Sequence, residues 1–434
     1  MSIDMDMANY AADLGHEGMP ENTQQRPEDR FETHPIPRIS VQGFCLTDGT
    51  TRTIEAAAED RRMTKAHVKV HMGGIPAAIE HYSQAPTPNL IIVETSGSHG
   101  DILTELDRLA EYCDAGTKVI VIGDVNDVTL YRELMHRGVS EYLITPLDIY
   151  QLIRAIGDLY GDPQSEPLGR TVAFFGVKGG CGASTVAHNA AWALAREYQN
   201  ETVVADLDLA FGTAGLDYNQ DPLQGVYEAI SAPERLDETL LDRILSKCSE
   251  HLSLLAAPAS LERTYDYGEH SFELLMETMR ASTPTIVLDV PHAWNGWVKN
   301  VLLSADEVVM VAEPDLANLR NAKNVVDTLK QLRPNDRLPL LVMNRVNVPK
   351  RPEIKPEEFA TALGMTSLLS IPFDPQLFGT AANNGQMIAE LDAKNPVAGV
   401  FAEIAHVVSG KSNPGKIKKA GLTSFLSKLT RRSA

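Results

Sequence analysis

The sequence predicts an α/β protein built from two doubly wound parallel-sheet domains. Three observations carry that prediction. Short apolar runs alternate, in two successive series, with stretches of helical spacing. A proline- and glycine-bearing segment separates the series. And 434 residues exceed what one ordinary core organises, so two domains with terminal segments is the natural division.

The first series follows residues 1–36, a polar, acidic and proline-bearing stretch with few apolar groups to bury, expected to be disordered. Apolar runs at 39–45, 67–71, 89–94, 118–123 and 140–144 predict five strands. Between them, DILTELDRLAEYCDAG and VTLYRELMHRG place apolar residues three and four apart, as amphipathic helices do. The domain spans 37–160 and closes with the helix DIYQLIRAIGDLYG; GDPQSEPLG (161–169) reads as a linker. The second domain, 170–408, carries the runs TVAFFGV, ETVVADLD, LSLLAAP, TIVLDV, EVVMVAE and LPLLVMNR. These are continuous rather than alternating, which predicts strands covered by helices on both faces. A tail, 409–434, opens with GKSNPGKIKKAG, a flexible composition.

Composition narrows the function classes. Apolar content of 43% and charged content of 22% suit a soluble globular chain. No apolar run approaches the ~18 residues of a spanning helix, and the N-terminus lacks a signal peptide's basic start and apolar core; a cytoplasmic protein is expected. The net charge of −19 argues against gripping nucleic acid. Cys45, Cys113, Cys181 and Cys248 have no metal-ligand or disulfide spacing and read as buried or bystander thiols. The twelve histidines are dispersed; His67 and His71 read as surface or packing residues. Trp294 and Trp297 fit either a partner face or the edge of the core.

The chemistry-bearing motif begins where TVAFFG runs into VKGGCGAST (177–185) and a helical stretch. Strand, glycine-rich turn, hydroxyl pair and helix is the arrangement that cradles phosphates with backbone N–H groups and a helix N-terminus. The common pattern G-x4-G-K-[ST] fails at two positions, with Val177 for the first glycine and Ala183 for the lysine. Lys178 precedes the glycine pair, however, and the runs TVVADLD and TIVLD end in Asp206, Asp208 and Asp289. Carboxylates at the carboxyl ends of parallel strands stand where open sheets bind ligands and where a magnesium-facing acid belongs. Each acid alone could equally cap the next helix.

Residues 171–390 thereby resemble the MinD/ParA family of dimerising ATPases, which share a K-G-G-x-G-K-[ST] loop. The resemblance implies ATP and Mg²⁺ as ligands, held by Gly179, Gly180, Cys181, Gly182, Ala183, Ser184 and Thr185. It implies Lys178 as the lysine that reaches the partner subunit's phosphates, Ser184 as the magnesium-binding hydroxyl and Asp208 as the aspartate that orients the attacking water. It further implies Asp289 as the carboxylate facing magnesium through water, with Asp206 a further candidate there, and Asn344 of NRV (344–346) as an adenine reader. IPFDPQLFGTAANNG (371–385) matches the family's late I-P-x-D turn and helix. His188, on the helix after the loop, reads as a packing residue or one supporting the metal site.

The alanine at 183 makes the chain similar to the TadZ/CpaE branch, which serves assembly of Flp-type pili and carries an N-terminal receiver-like domain. Losing the loop lysine removes a charge that stabilises the transition state, often ~100-fold or more in rate; nucleotide binding with slow or absent hydrolysis is expected. The receiver pattern is eroded: strand three ends at Glu94, strand four at Gly123, strand five at Thr145-Pro146, and only Asp48 follows strand one. Glu94 reads as a solvated glutamate, with mimicry of a phosphorylated acid as the alternative. A docking or dimer surface is expected, not a phosphorelay.

The expected function is a dimerising positional switch that localises or assembles pilus secretion machinery at the cell pole. The alternatives are an active ATPase positioning chromosomes or division sites, against which Ala183 and the acidic charge count, and a receiver-type regulator with the ATPase fold as scaffold. In the tail, Leu422, Phe425, Leu426 and Leu429 share one helical face flanked by Lys419, Lys428, Arg431 and Arg432. Such a segment fits an anionic membrane surface through 419–432, or docking on the protein's own body or a partner.

Overall fold

Valine-, isoleucine- and leucine-rich runs bounded by turn residues fold as strands because covering both their faces removes the most apolar surface from water. The structure, a computed structural model, describes residues 36–161, 168–365 and 368–410. The expected disordered N-terminus, most of the linker and the amphipathic tail segment lie outside the described residues. The strands are β1 (Ser40–Cys45), β2 (His67–Met72), β3 (Leu90–Glu94), β4 (Lys118–Gly123), β5 (Glu141–Ile144), β6 (Arg170–Gly176), β7 (Thr202–Asp206), β8 (Ser246–Lys247), β9 (Leu252–Leu255), β10 (Thr285–Val290), β11 (Glu307–Ala312), β12 (Leu340–Val346) and β13 (Leu368–Pro372).

They form two sheets, ordered β2-β1-β3-β4-β5 and β13-β12-β11-β6-β10-β7-β9-β8. Every pairing is parallel except that of β8 with β9. The eleven strands expected from the sequence are all present, and the fold class is the expected one. The two strands not anticipated sit at the sheet's edges: β8 is two residues long, and β13, LLSIP, is short, interrupted by Ser370 and largely half-buried. On one face of the larger sheet Phe174, Val204 and Val342 pack under the alanine-rich helix Ala183–Tyr198 and the helix Pro396–Ser409; on the other, Phe175, Leu288 and Met310 pack with Phe272, Trp297 and Phe359. Among the described residues no helix is long and apolar enough to cross a membrane.

The two sheet units meet through partly buried ion pairs rather than an apolar seam. Arg61 and Arg62, in a turn just before β2, reach residues just before β11 and β12. Arg61 donates to the Ser304 carbonyl at 2.8 Å and pairs with Asp306 at 3.1 Å and Asp336 at 3.0 Å. Arg62 bridges Asp60 at 2.9 Å and Asp336 at 2.8 Å, and Asn335 donates to Asp60 at 3.1 Å. Lys65 pairs with Glu277 at 2.9 Å on the surface. All these groups stand near the amino ends of their strands, so the units dock amino end to amino end and the carboxyl ends of both sheets face away from the junction.

Asp336 is the hub, held by Arg61, Arg62 and Arg333. Burial opposes its ionisation, but Arg61, Arg333 and Arg62 outweigh that and pull its pKa down to about 2. Removing one member of a buried ion cluster leaves the others uncompensated, a loss of about 3–5 kcal/mol. Asp336→Ala is therefore expected to uncouple the units. Calorimetry should resolve an early transition of the N-terminal unit from the main one, whereas the unsubstituted chain should melt in a single step; one unshifted transition in the variant would refute the coupling.

Candidate nucleotide site

β6 lies at the centre of the larger sheet between β10 and β11, and its carboxyl end opens into the glycine-rich loop. The loop is fastened from several directions. Val177, buried where a glycine would be usual, donates its N–H to the Val311 carbonyl at 3.0 Å and accepts from Asn321 Nδ2 at 2.9 Å. Cys181 is buried with its Sγ 3.4 Å from the Val311 carbonyl, so only its backbone can face a ligand. Gly182 begins the helix with φ +85, and a Cβ there would stand 2.4 Å from Asn344 Nδ2; glycine is required twice over. Ala183, Ser184 and Thr185 form the first turn of that helix, whose N-terminal amides point out of the sheet's carboxyl edge.

Asn344, at the end of β12, is buried; it donates to the Cys181 carbonyl at 2.8 Å and accepts from the Arg345 N–H. Asn344 thus braces the loop, although it also borders a cleft of ≈ 360 Å³ lined by Gly182, Thr185, Arg345, Phe373, Phe378 and their neighbours. Lys178 stands half-exposed at the lip, its ammonium 3.1 Å from Asp315, which also caps the following helix by accepting from Asn318 N at 2.8 Å.

The acids divide by depth. Asp206 and Asp289 are register partners on neighbouring strands and both are buried. Asp206 spends its oxygens on the N–H groups of Asp208 and Ala214, each at 3.1 Å. Its pKa is pushed up to about 7, first by burial and then by the charge of Asp289. His188 is wholly buried beside them, with Nδ1 2.7 Å from Asp217 and Nε2 3.2 Å from Asp289 Oδ2. Burial works against its charge, but the two carboxylates prevail and raise its pKa to about 10, so it sits there as a cation. The expectation of a packing or supporting residue thus becomes specific: His188 neutralises the acid pair. Asp208, less buried, accepts from Phe211 N at 3.1 Å, and burial followed by Asp289 raises its pKa. Asp289 Oδ2 is buried, and its contact with His188 Nε2 is an ion pair without hydrogen-bond alignment. Together with the Ser184 hydroxyl in the first turn of the helix, these carboxylates are the hard oxygen donors that magnesium takes. Among the described residues no group of three or more His, Cys, Asp or Glu is arranged to hold a metal ion.

A family model described as an AAA domain matches residues 169–340. The septum site-determining protein MinD of Synechocystis is 27% identical over 274 residues, 61% of this chain and 98% of that protein. A ParA family ATPase from Chlorobium tepidum superposes with a TM-score of 0.50 at 25% identity, over 55% of this chain and 98% of that one. The pilus assembly protein CpaE from Caulobacter crescentus is 52% identical, over 30% of this chain and 98% of that one, with a TM-score of 0.29. Identity of that size along the whole of a solved chain is decisive at the level of sequence. The chain belongs to the CpaE/TadZ family, within the MinD/ParA superfamily.

The CpaE/TadZ assignment turns attention to the N-terminal unit, where one expectation fails. Glu94 is not solvated and does not present its charge as a phosphorylated acid would. It is buried at the end of β3 and accepts from Leu46 N at 2.6 Å, Thr47 N at 2.8 Å, Thr47 Oγ1 at 2.8 Å and Thr50 Oγ1 at 2.7 Å. The carboxylate thereby clamps the start of the helix Asp48–Ala58, with hydroxyl donors standing where a receiver would keep acids. The tryptophans also resolve: Trp297 is buried against Phe272, whereas Trp294 is exposed. His71 stacks on Phe44 at 5.1 Å, and all four cysteines are free, as expected. Sequence spacing had no signal for Asp217, 29 residues from His188; Arg345 was visible beside Asn344, but its contact with the loop was not.

Burial pushes the Glu94 pKa up, and the hydrogen bonds from Thr50, Thr47 and Leu46 more than reverse this, holding it below the ordinary glutamate range. A folded pKa below the unfolded one gives stability that is present above ~4 and lost as pH falls through the folded value. Glu94→Ala should cost roughly 3 kcal/mol near neutrality, since four donors lose a charged acceptor. The gap to the unsubstituted chain should shrink on acidification. Hydrogen exchange of residues 44–58 measures it, and equal protection at pH 7 would contradict the clamp.

Proposed function

We propose that this chain binds ATP·Mg²⁺ and closes on a second copy of itself around the nucleotide, acting as a positional switch that localises or assembles the machinery of a Flp/Tad-type pilus at the cell pole. The observation that carries this reading is what surrounds the loop at the carboxyl-end rim. Three large apolar side chains, each just after a different strand, stand in solvent there: Phe211 at 69%, Trp294 at 51% and Leu316 at 74% exposure. Leu316 adjoins Asp315, the residue that holds Lys178. A rim with exposed aromatic and aliphatic anchors around a half-exposed lysine fits a self-complementary partner face. The likeness to a pilus assembly protein supplies the process.

Within this reading the loop amides from Gly179 to Thr185 bind phosphates, and the cleft beside Phe373 and Phe378 takes the base. Ser184 would hold magnesium, with Asp289 and, less directly, Asp206 facing it through water; the ion, when bound, spreads the phosphate charge. Lys178 exchanges Asp315 for the partner's nucleotide. Asp208 orients the water, and with Ala183 in place of lysine the chain is a weak ATPase at most. The tail, 419–432, supplies contact with an anionic surface or with a polar partner.

Light scattering of the full chain with and without ATP·Mg²⁺ tests the reading. Lys178→Ala and Leu316→Asp should each remain monomeric at saturating ATP with melting temperatures unchanged, since both side chains are solvent-facing. A dimer fraction equal to that of the unsubstituted chain would sink the rim as the dimer face. Asp208→Ala should instead prolong whatever dimer forms; a faster return to monomer on ATP dilution would remove Asp208 from the hydrolytic role.

A further inference from the structure

The phosphate loop lacks its usual cation, and the fold places another beside it. Arg345 follows Asn344 at the end of β12 with φ +51, a left-handed conformation that a residue with a side chain holds only when its surroundings impose it. Those surroundings are built for the purpose. The Arg345 N–H donates to Asn344 Oδ1 at 2.8 Å, and its carbonyl accepts from the Arg351 guanidinium. Glu353 fixes the rest of the turn through the N–H groups of Asn347 at 2.8 Å and Val348 at 2.9 Å. The result brings Arg345 Nη1 to 2.9 Å from the Gly180 carbonyl, within the glycine-rich loop itself, and to 2.8 Å from Glu313.

Two further facts point to an anion. Among the described residues that line the cleft beside Gly182 and Thr185, Arg345 is the one Lys or Arg; the other charged side chains there are Asp217 and Asp374. And Arg345 can leave Glu313 without stranding it, because Arg351 also holds Glu313, at 2.8 Å. With Arg345 half-exposed and Glu313 still held by Arg351, a phosphate can take the guanidinium.

We propose that Arg345 binds the phosphates of the nucleotide, supplying from β12 the positive charge that Ala183 does not supply from the loop. The inference rests on the ATP reading above and assigns it one more residue. A guanidinium offers paired donors to phosphate oxygens, but it arrives from the side of the cleft rather than from the loop's own helix. It therefore replaces the lysine in binding without reproducing its position in the transition state, which is consistent with a chain that holds nucleotide and turns it over slowly.

The test is a double-mutant cycle on the full chain, with ATP·Mg²⁺ and ADP·Mg²⁺ binding measured by calorimetry. Arg345→Ala should weaken both by about tenfold to a hundredfold. Ala183→Lys should restore most of that loss in the Arg345→Ala background while tightening binding less in the unsubstituted chain, a coupling that a merely structural tie would not produce. Because the Arg345 side chain is half-exposed and Arg351 still holds Glu313, the variant should remain folded, with at most a small drop in melting temperature. Undiminished binding by Arg345→Ala, or a loss that Ala183→Lys leaves intact, would overturn the proposal while the ATP reading stands. Failure of the unsubstituted chain to bind ATP would overturn the ATP reading, and Arg345's role with it.

Discussion

Two carboxyl groups that the sheet places side by side set the terms for everything around them. Asp206 and Asp289 are register partners on adjacent parallel strands, both out of water. Such a pair persists only if compensated. The compensation reaches into the following segment: two backbone amides turn back onto Asp206, and the chain must pass so close that a Cβ at Gly212 would stand 2.3 Å from its carboxylate. It also reaches into the helix behind the loop, which contributes His188 and so draws in Asp217 from the next turn of chain. The loop-bearing helix, the acidic strand ends and the segment 206–217 are thus tied together by charge and hydrogen bonds.

The same logic explains how the phosphate loop keeps its shape with two of its usual residues replaced. Its backbone is held by β11 through Val177 and Cys181, by the helix Leu316–Leu332 through Asn321, and by β12 through Asn344 and Arg345. None of these ties needs a lysine at 183. The shape of the loop and the positive charge of a loop lysine are separable in this fold, and only the second is missing here.

Much of the fold could be read from the sequence because both sheets are parallel and covered, which makes each central strand a continuous apolar run. β8 and β13 escaped because edge strands can be short and half-buried: β8 has two residues, and the run of β13 is broken by Ser370. The loop and its acids were legible because each sits at a fixed place relative to a strand end. Glu94 was misjudged for the opposite reason: its burial depends on Thr47 and Thr50, more than forty residues earlier, and a strand-end glutamate in isolation looks solvated. The ion cluster between the units was invisible for the same cause, since Arg61 meets Asp306 and Asp336 across 245 and 275 residues.

The docking of the two units by their amino ends has a consequence for reach. A dimer closed across the carboxyl-end rim of the larger sheet would carry its two N-terminal units at opposite extremities, each turning its own carboxyl-end face outward. Such a particle is bivalent by construction. Its two heads could not crowd onto one small target, but they could grip two sites of an extended or repeating scaffold, with the second grip favoured by the high local concentration that the first imposes. Occupancy at the nucleotide end would then be converted into residence time on a distant lattice, without any signal having to travel through the N-terminal unit.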